Sequence, residues 1–469
     1  MKLRDLFFLL LFSLLTIVVR GYEFGLGNQI HYLTFFHYHM DPGLYPHDFL
    51  LKTHAIPYTI FIDFLRFMPL NFFGIQNSIF FIYFVALFFF NLGIFLIVSK
   101  LFRDEMLKWI VLCFFIFPIP VGGSSIDTIE KELNPRFIAE TFFVLSLYFL
   151  IIKKVVVSPL LAAIGFLFNP LTVIPYLFIL LLSGFFRHIT VKNVLIGTFI
   201  FLLIITPLLF KYSINEQQSS FFIDKLWKNI LIERVSYIFA LRWSLLSWSL
   251  AILMGIFLYI YGRFSKMHQV AKAAIIIGFL MFFINIISDI FSLRIGLQLQ
   301  LTRNLYLPVF FTLIFFAKFL SDFVKKPLSI YLSLFLLSAI FLLSFHKRLP
   351  DGILWYRSST DYEKAAIWAR SNTKNESIFL VPVETTGFRF WSLRSVVVED
   401  KEGGDSLYSR SFAMEWDRRE DILENNYYHM SLVQIMNLKK QFQINYIVTT
   451  QILSLPLQFQ SGLWKIYKV

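Results

Sequence analysis

Charge and cysteine are both scarce in this sequence. Only 16% of the 469 residues are Asp, Glu, Lys or Arg, against about 25% in an ordinary soluble domain. Soluble, disordered and collagen-like classes are excluded, because so apolar a chain cannot hide its surface from water. A single cysteine, Cys113, forbids an internal disulfide and argues against a zinc–cysteine site. Set in the run WIVLCFFIF, it reads as a small buried hydrophobe. Glycine-rich phosphate loops are missing, which argues against a nucleotide-driven pump. There is no internal repeat and no low-complexity tail.

What is present is apolar surface. Hydrophobic residues make up 57% of the chain and aromatics 19%, with 59 Phe, and the mean hydropathy is +0.67. Runs suited to a bilayer fall near 5–20, 76–99, 107–121, 137–152, 193–210, 237–261, 273–293, 304–320 and 328–345. The first resembles a signal peptide in its basic start and short apolar core. It reads as an uncleaved helix, because Arg20-Gly21-Tyr22 is no small-residue cleavage site. Residues 155–185 are broken at Phe168-Asn169-Pro170 and flanked on both sides by basic residues, so they predict a hairpin that returns to the side it left. The total is roughly eleven spans.

The net charge of +13 could indicate a nucleic-acid partner or a membrane protein with one basic face. With the N-terminus in the cytoplasm, the inside segments carry 15 Lys and Arg against four acids, and the outside segments of the membrane part carry 12 of each sign. The charge is therefore a topology signal and gives no support for nucleic-acid binding. Charge density changes near His346: residues 346–469 hold 30 charged residues, whereas 1–345 hold 43. The expected organisation is a polytopic membrane domain over 1–345, with a long first outside loop at 21–57, and a polar α/β domain over 346–469 on the extracytoplasmic face. In that domain, helices are expected at 361–373, 405–425 and 430–441, and strands at 377–382, 394–398, 445–450 and 463–469.

The outside loops hold the candidate chemistry. The first, YEFGLGNQIHYLTFFHYHMDPGLYPHDFLLKTHAIP, carries five of the nine His, including His31, His37 and His39. Glu23, just past the first span, fits two roles: a partly desolvated general base, or an interfacial carboxylate paired with Arg20. His37, His39 and Asp41 converge as metal ligands if the segment is a strand; as an amphipathic helix it separates them. Asp48 is either a helix N-cap or a second acid. The second loop, GGSSIDTIEKELNPR, brings Asp127, Glu130 and Glu132 close to the bilayer. Arg136 is placed to grip a phosphate or to anchor a helix at the interface. Glu140, one turn deeper, is either functional, since intramembrane acids are rare, or the i+4 partner of Arg136. Arg294 and Arg303 bracket Gln298 and Gln300 at another span entrance, suited to a phosphate leaving group or to lipid headgroups. In the polar domain Arg389, Arg394 and Lys401 form a basic series that reads as an anion-binding or simply a solvated surface.

Three stretches together resemble the GT-C glycosyltransferase superfamily, and more narrowly an uncharacterised bacterial membrane family of that topology. They are YEFGLGNQIHYL with DPGLYPHDF, NPRFIAETFF, and AAIWARSNTKNESIFLVPVETTGFRFWSLRSVVVEDKE. The resemblance implies a mainly α fold with an extracytoplasmic α/β domain in the bacterial cytoplasmic membrane. It implies transfer of a sugar from a polyprenyl-phosphate-linked donor to an extracytoplasmic acceptor. Glu23 would be the catalytic acid, with Asp48, Asp127 and Glu130 as supporting acids or ligands of a divalent cation (Mg2+ or Mn2+). Arg136, Arg294 or Arg303 would contact phosphate. Better-known members place Asp, or Asp-Glu, after the first span, whereas Tyr22-Glu23-Phe24 stands here. Two rival expectations are a lipid or polysaccharide flippase, which needs polar residues deep in several spans, and a non-catalytic envelope assembly protein.

Overall fold

The computed structural model describes residues 2–53, 59–68, 74–213, 220–323, 359–423 and 427–469. The expected span at 328–345 and the domain boundary at 345/346 lie outside them. The membrane part is helical: α1 (Leu3–Arg20), α2 (Gln29–Met40), α3 (Phe49–Thr53), α4 (Phe61–Phe67), α5 (Ile75–Leu101), α6 (Leu107–Ile116), α7 (Pro135–Ile151), α8 (Val157–Phe168), α9 (Pro170–Val173), α10 (Pro175–Phe185), α11 (Val191–Ser213), α12 (Lys225–Arg234), α13 (Leu245–Phe264), α14 (Gln269–Phe291), α15 (Arg294–Gln298) and α16 (Tyr306–Phe323). Among the described residues five stretches are long and apolar enough to cross a bilayer: α5, Val191–Phe210, α13, α14 and Leu301–Asp322. Large apolar side chains such as Phe199, Leu245 and Ile252 are more than half exposed, which suits a hydrocarbon solvent and not water.

Local chemistry explains where the spans fall short of the sequence pattern. The run at 107–121 gives only α6, because Pro118 and Pro120 cannot continue the helix. The run at 237–261 starts later, at Leu245. Residues 236–242 form two 3-10 turns, and the Ser244 hydroxyl caps α13 by accepting from the Ser247 amide (3.2 Å). The interruption at 168–170 does form a hairpin. Asn169 caps α9, accepting from the Thr172 amide (3.2 Å). At the far end His188 Nε2 meets the Leu150 carbonyl (3.0 Å), so α10 returns to the end of α7. The helices close tightly where glycine permits: a Cβ on Gly278 would lie 2.3 Å from Pro308 Cδ, so this glycine lets α14 and α16 touch.

The polar part follows as α17 (Asp361–Asn372), α18 (Phe388–Ser392), α19 (Arg410–Leu423) and α20 (Leu432–Phe442), with β1 (Ile378–Leu380), β2 (Ser395–Val396), β3 (Tyr446–Thr449), β4 (Leu457–Ser461) and β5 (Trp464–Lys468). The sheet order is β2-β1-β3-β5-β4, parallel across β2-β1-β3 and antiparallel across β3-β5-β4. Residues 405–425 are not one helix: Asp400–Leu407 is a 3-10 segment and α19 begins only at Arg410. This α/β unit sits on the loops at one end of the bundle. Trp227 donates to the Ser406 carbonyl (2.8 Å), Gln298 to the Leu407 carbonyl (3.0 Å) and Gln300 to the Tyr408 hydroxyl (2.8 Å).

Candidate functional site

A cavity of about 270 Å3 opens where the α/β unit meets the loops. Its walls are drawn from several segments. Asn28, His31 and Tyr32 come from the start of α2, and Asn134 and Arg136 from the start of α7. The hairpin tip gives Asn169 to Leu171, the end of α12 gives Arg234, the 3-10 turn Leu301–Leu305 gives Arg303, and the α/β unit gives Lys401, Asp405 and Tyr408. Each polar group is set by a local device. Asn134 is the N-cap of α7, accepting from the Phe137 amide (2.9 Å), with Pro135 in the first turn. Arg136 therefore leaves the first turn of α7, whose far end meets His188 at Leu150. The start of α2 is capped from outside: the Glu132 carboxylate accepts from the Asn28 and Gln29 amides (2.9 and 3.2 Å). Burial pushes the Glu132 carboxyl up, with these bonds opposing the shift. Gly27, at φ +56°, keeps this contact possible, since a Cβ there would lie 2.6 Å from Glu132 Oε2.

The cavity is strongly cationic. Arg136 is ion-paired with Glu130 and lies 3.8 Å from Glu140, and Arg234 Nε lies 3.1 Å from Asp400. Arg303 and Lys401 have no carboxylate within ion-pair distance among the described residues. Arg303 is braced instead against the Tyr237 ring (5.1 Å), and its Nε is buried without a hydrogen-bond partner. Burial pushes the Lys401 ammonium down and the Tyr32 hydroxyl up to about 12. A smaller void of about 20 Å3 shares Arg136, Asn169 and Arg303 with the main cavity and reaches Glu140, which is 1% exposed.

The residues expected from sequence divide. Arg136 and Arg303 line the main cavity, and Glu140 lines the void beneath it. Glu23 does not line it: the side chain is 39% exposed and lies 3.7 Å from Lys131, while Arg20 faces Asp127 at 3.7 Å. Asp48 is fully buried elsewhere, accepting from Arg389 Nε (2.7 Å) and the Val396 amide (3.2 Å). It ties the first outside loop to the α/β unit. Arg294 is buried beside the Phe222–Leu293 bridge, outside the cavity walls. The metal expectation at His37, His39, Asp127 and Glu130 is not met by the geometry. His37 and His39 lie on α2, where positions two apart face nearly opposite ways. His37 lies against Phe390 in a tilted ring contact (5.8 Å), and burial lowers its imidazole to about 4. His39 bonds the Phe35 carbonyl and Asp41 caps a 3-10 turn. Among the described residues no three His, Cys, Asp or Glu side chains are grouped to hold a metal ion.

Several cavity residues escaped the sequence reading, notably Arg234, Asp405 and Tyr408. No local pattern marks them: Asp405 and Tyr408 are brought in by the docking of the α/β unit, and Arg234 is turned to the cavity where its Nε meets Asp400 of that unit.

Over residues 360–422 the chain matches a protein family described as a domain of unknown function, DUF6798. No curated protein matches the chain. Among solved structures, the archaeal oligosaccharyltransferase AglB from Archaeoglobus fulgidus, in complex with an inhibitory peptide and a dolichol-phosphate, aligns over 95% of this chain and 69% of its own, with a TM-score of 0.52 at 13% identity. AglB is a GT-C superfamily member. The chain has the GT-C fold. A second structure of the Archaeoglobus fulgidus enzyme, in complex with Zn and sulfate, aligns over 94% of this chain and 67% of its own at 13% identity, with a TM-score of 0.48. The mainly α membrane part and the small α/β unit agree with the expected fold class.

Proposed function

We propose that the protein is a membrane glycosyltransferase that moves a sugar from a polyprenyl-phosphate-linked donor to an acceptor outside the bacterial cytoplasmic membrane. The observation that carries this reading is the pair of unmatched cations, Arg303 and Lys401, beside Arg136 in one cavity at the end of the helical bundle. When the bond between sugar and phosphate breaks, negative charge grows on the phosphate oxygens. Cations already in place, in a site that excludes most water, stabilise that charge without reorganising. Asn28, Asn134, Gln300 and Tyr408 offer neutral donors and acceptors suited to sugar hydroxyls. Phe168 and Leu171, on the bilayer side, give the lipid's first units an apolar wall. That AglB was solved with a dolichol-phosphate fits the same donor chemistry.

In this reading Arg136, Arg303 and Lys401 hold the phosphate, and Glu140 keeps Arg136 aimed from below. Asp48 holds the α/β unit in place. Glu23, Asp127, Glu130 and Arg294 shape the surrounding loops. The expected division at 345/346 then separates a donor-binding membrane domain from an extracytoplasmic domain that closes the site. The flippase reading is weakened by what the deep polar groups do: Asn91 donates to Ser13 (3.0 Å), and Asp289 lies 3.6 Å from Lys228. Both are internal pairs and neither lines the cavity.

The test compares lipid-linked sugars and envelope glycans, by mass spectrometry, in cells with and without the protein. Loss of the protein is expected to deplete one glycan and accumulate its lipid-linked donor. Arg303→Ala and Lys401→Ala should each lower transfer by about 100-fold or more, the scale for removing one preorganised charge stabiliser. Normal glycans in both variants at normal protein levels would overturn the site.

A further inference from the structure

The acceptor hydroxyl must lose a proton, and the cavity has a group suited to take it. His31 projects from α2 and Asp405 from the 3-10 segment Asp400–Leu407, and both line the cavity. His31 Nε2 lies 3.3 Å from Asp405 Oδ2, an ion-pair contact not aligned as a hydrogen bond in this structure, and the two side chains are 14% and 15% exposed. The imidazole is fixed on its other edges by Tyr32 (5.8 Å) and Phe35 (5.2 Å) in edge-to-face contact. Its Nδ1 has no hydrogen-bond partner among the described residues. Four other outside acids are engaged with cations: Glu23 with Lys131, Asp127 with Arg20, Glu130 with Arg136 and Asp48 with Arg389. Tyr32 keeps its proton, as its raised value shows.

A carboxylate beside one imidazole nitrogen fixes the tautomer, with hydrogen on that nitrogen and a lone pair on the other. We propose that His31 is the general base of the transfer, with Asp405 as its positioning residue. The proposal rests on the glycosyltransferase reading above and deepens it. The acceptor oxygen attacks the anomeric carbon as the bond from that carbon to the phosphate oxygen breaks. The bonding pair leaves on the phosphate, which Arg303 and Lys401 receive. The hydroxyl proton passes to His31 Nδ1, and the imidazolium so formed faces the Asp405 carboxylate. It later returns its proton to water. The remaining charged groups on the walls, Arg136, Arg234, Arg303 and Lys401, are all cations. Asp405 is the one carboxylate on those walls, and it faces the imidazole.

The experiment uses full-length protein in membranes from cells that make the donor, with transfer measured against pH. A neutral base gives a rate that rises with pH along an acid limb. His31→Ala should lose about 100-fold or more, and imidazole in the medium should restore part of that loss. Asp405→Asn should lower the rate and move the acid limb to lower pH, because it removes the charge that favours the imidazolium. A purely structural role for Asp405 would lower the amount of protein and leave the limb in place. If His31→Ala transfers normally while Glu23→Gln is inactive, the base assignment is overturned and the glycosyltransferase reading stands. If deleting the gene changes no glycan and no lipid-linked sugar, the reading itself fails and takes this inference with it. Should His31→Ala fold poorly, His31→Gln with the same imidazole rescue decides the matter: no rescue in a well-folded variant overturns the proposal.

Discussion

Arg389 shows how much one side chain does to join the two halves of the chain. It is 3% exposed and faces three carboxylates: Asp48 at 2.7 Å, Glu399 at 3.4 Å and Glu402 at 2.5 Å. Three buried acids around one guanidinium leave an excess of negative charge. Burial pushes the Glu402 carboxyl from its ordinary value near 4.5 up to about 8, although Arg389 opposes the shift. Removing the guanidinium strands the acids, so Arg389→Met should destabilise the protein by about 3–5 kcal/mol, read as a fall in unfolding midpoint in detergent. The Glu402 shift also has a sign. A carboxyl raised on folding holds a proton that the unfolded chain has lost, so its contribution to stability declines as pH rises from about 4.5 to about 8. Glu402→Gln keeps the shape and removes that decline. The variant should match wild type near pH 5 and exceed it above pH 8, and an equal shift at both pH values would contradict the assignment. None of this was legible in the sequence. Asp48 reads there as a cap or a catalytic acid; the cap is present, its Oδ1 accepting from the Leu51 amide (3.4 Å) at the start of α3, but the Arg389 partner lies 341 residues away. Arg136, Arg294 and Arg303 read alike in the sequence, as phosphate contacts or interface anchors, and only the fold separates Arg136 and Arg303, which line the cavity, from Arg294, which does not.

At the scale of elements, the sequence pattern identified most helices and misjudged their ends. The strands at 378–380, 446–449 and 464–468 were legible from short β-branched and aromatic runs, whereas β4 was not. Its residues Leu457 to Ser461 form an exposed edge strand with little burial to impose alternation. α2 was ambiguous for a related reason: HYLTFFHYHM fits either period. What decides it is the Glu132 carboxylate at its N-terminus, 103 residues along the chain. Glu132→Ala should release the Asn28 and Gln29 amides and weaken the start of α2 by about 1 kcal/mol. His31 sits in the first turn of that helix, so the effect on the cavity should exceed the effect on the fold. Amide hydrogen exchange would register faster exchange at 28–31 with α5 unchanged. Unchanged protection at 28–31 would mean that packing, and not the carboxylate, holds the helix start.

At the scale of the molecule, the cavity exists only because the α/β unit closes over the loops, supplying Lys401, Asp405 and Tyr408 to walls otherwise built by the bundle. The charge bias of the loops and the shared location of this unit with the first outside loop make one prediction about the whole. The hairpin α8–α10 carries Asn169 to the cavity face and returns Arg187 and His188 to the opposite face, where His188 meets Leu150. Residues 404 and 192 should therefore lie on opposite sides of the membrane. Gly404 faces open space, with no atom within 4 Å of an added Cβ, so Gly404→Cys is sterically free. Lys192 starts α11 and is exposed. In a Cys113→Ser background, a membrane-impermeant maleimide added to intact cells should label Gly404→Cys and spare Lys192→Cys until the membrane is opened. The reverse pattern would invert the protein and place the cavity in the cytoplasm. Labelling of both in intact cells would break the hairpin, and with it the argument that the basic face and the cavity lie on opposite sides.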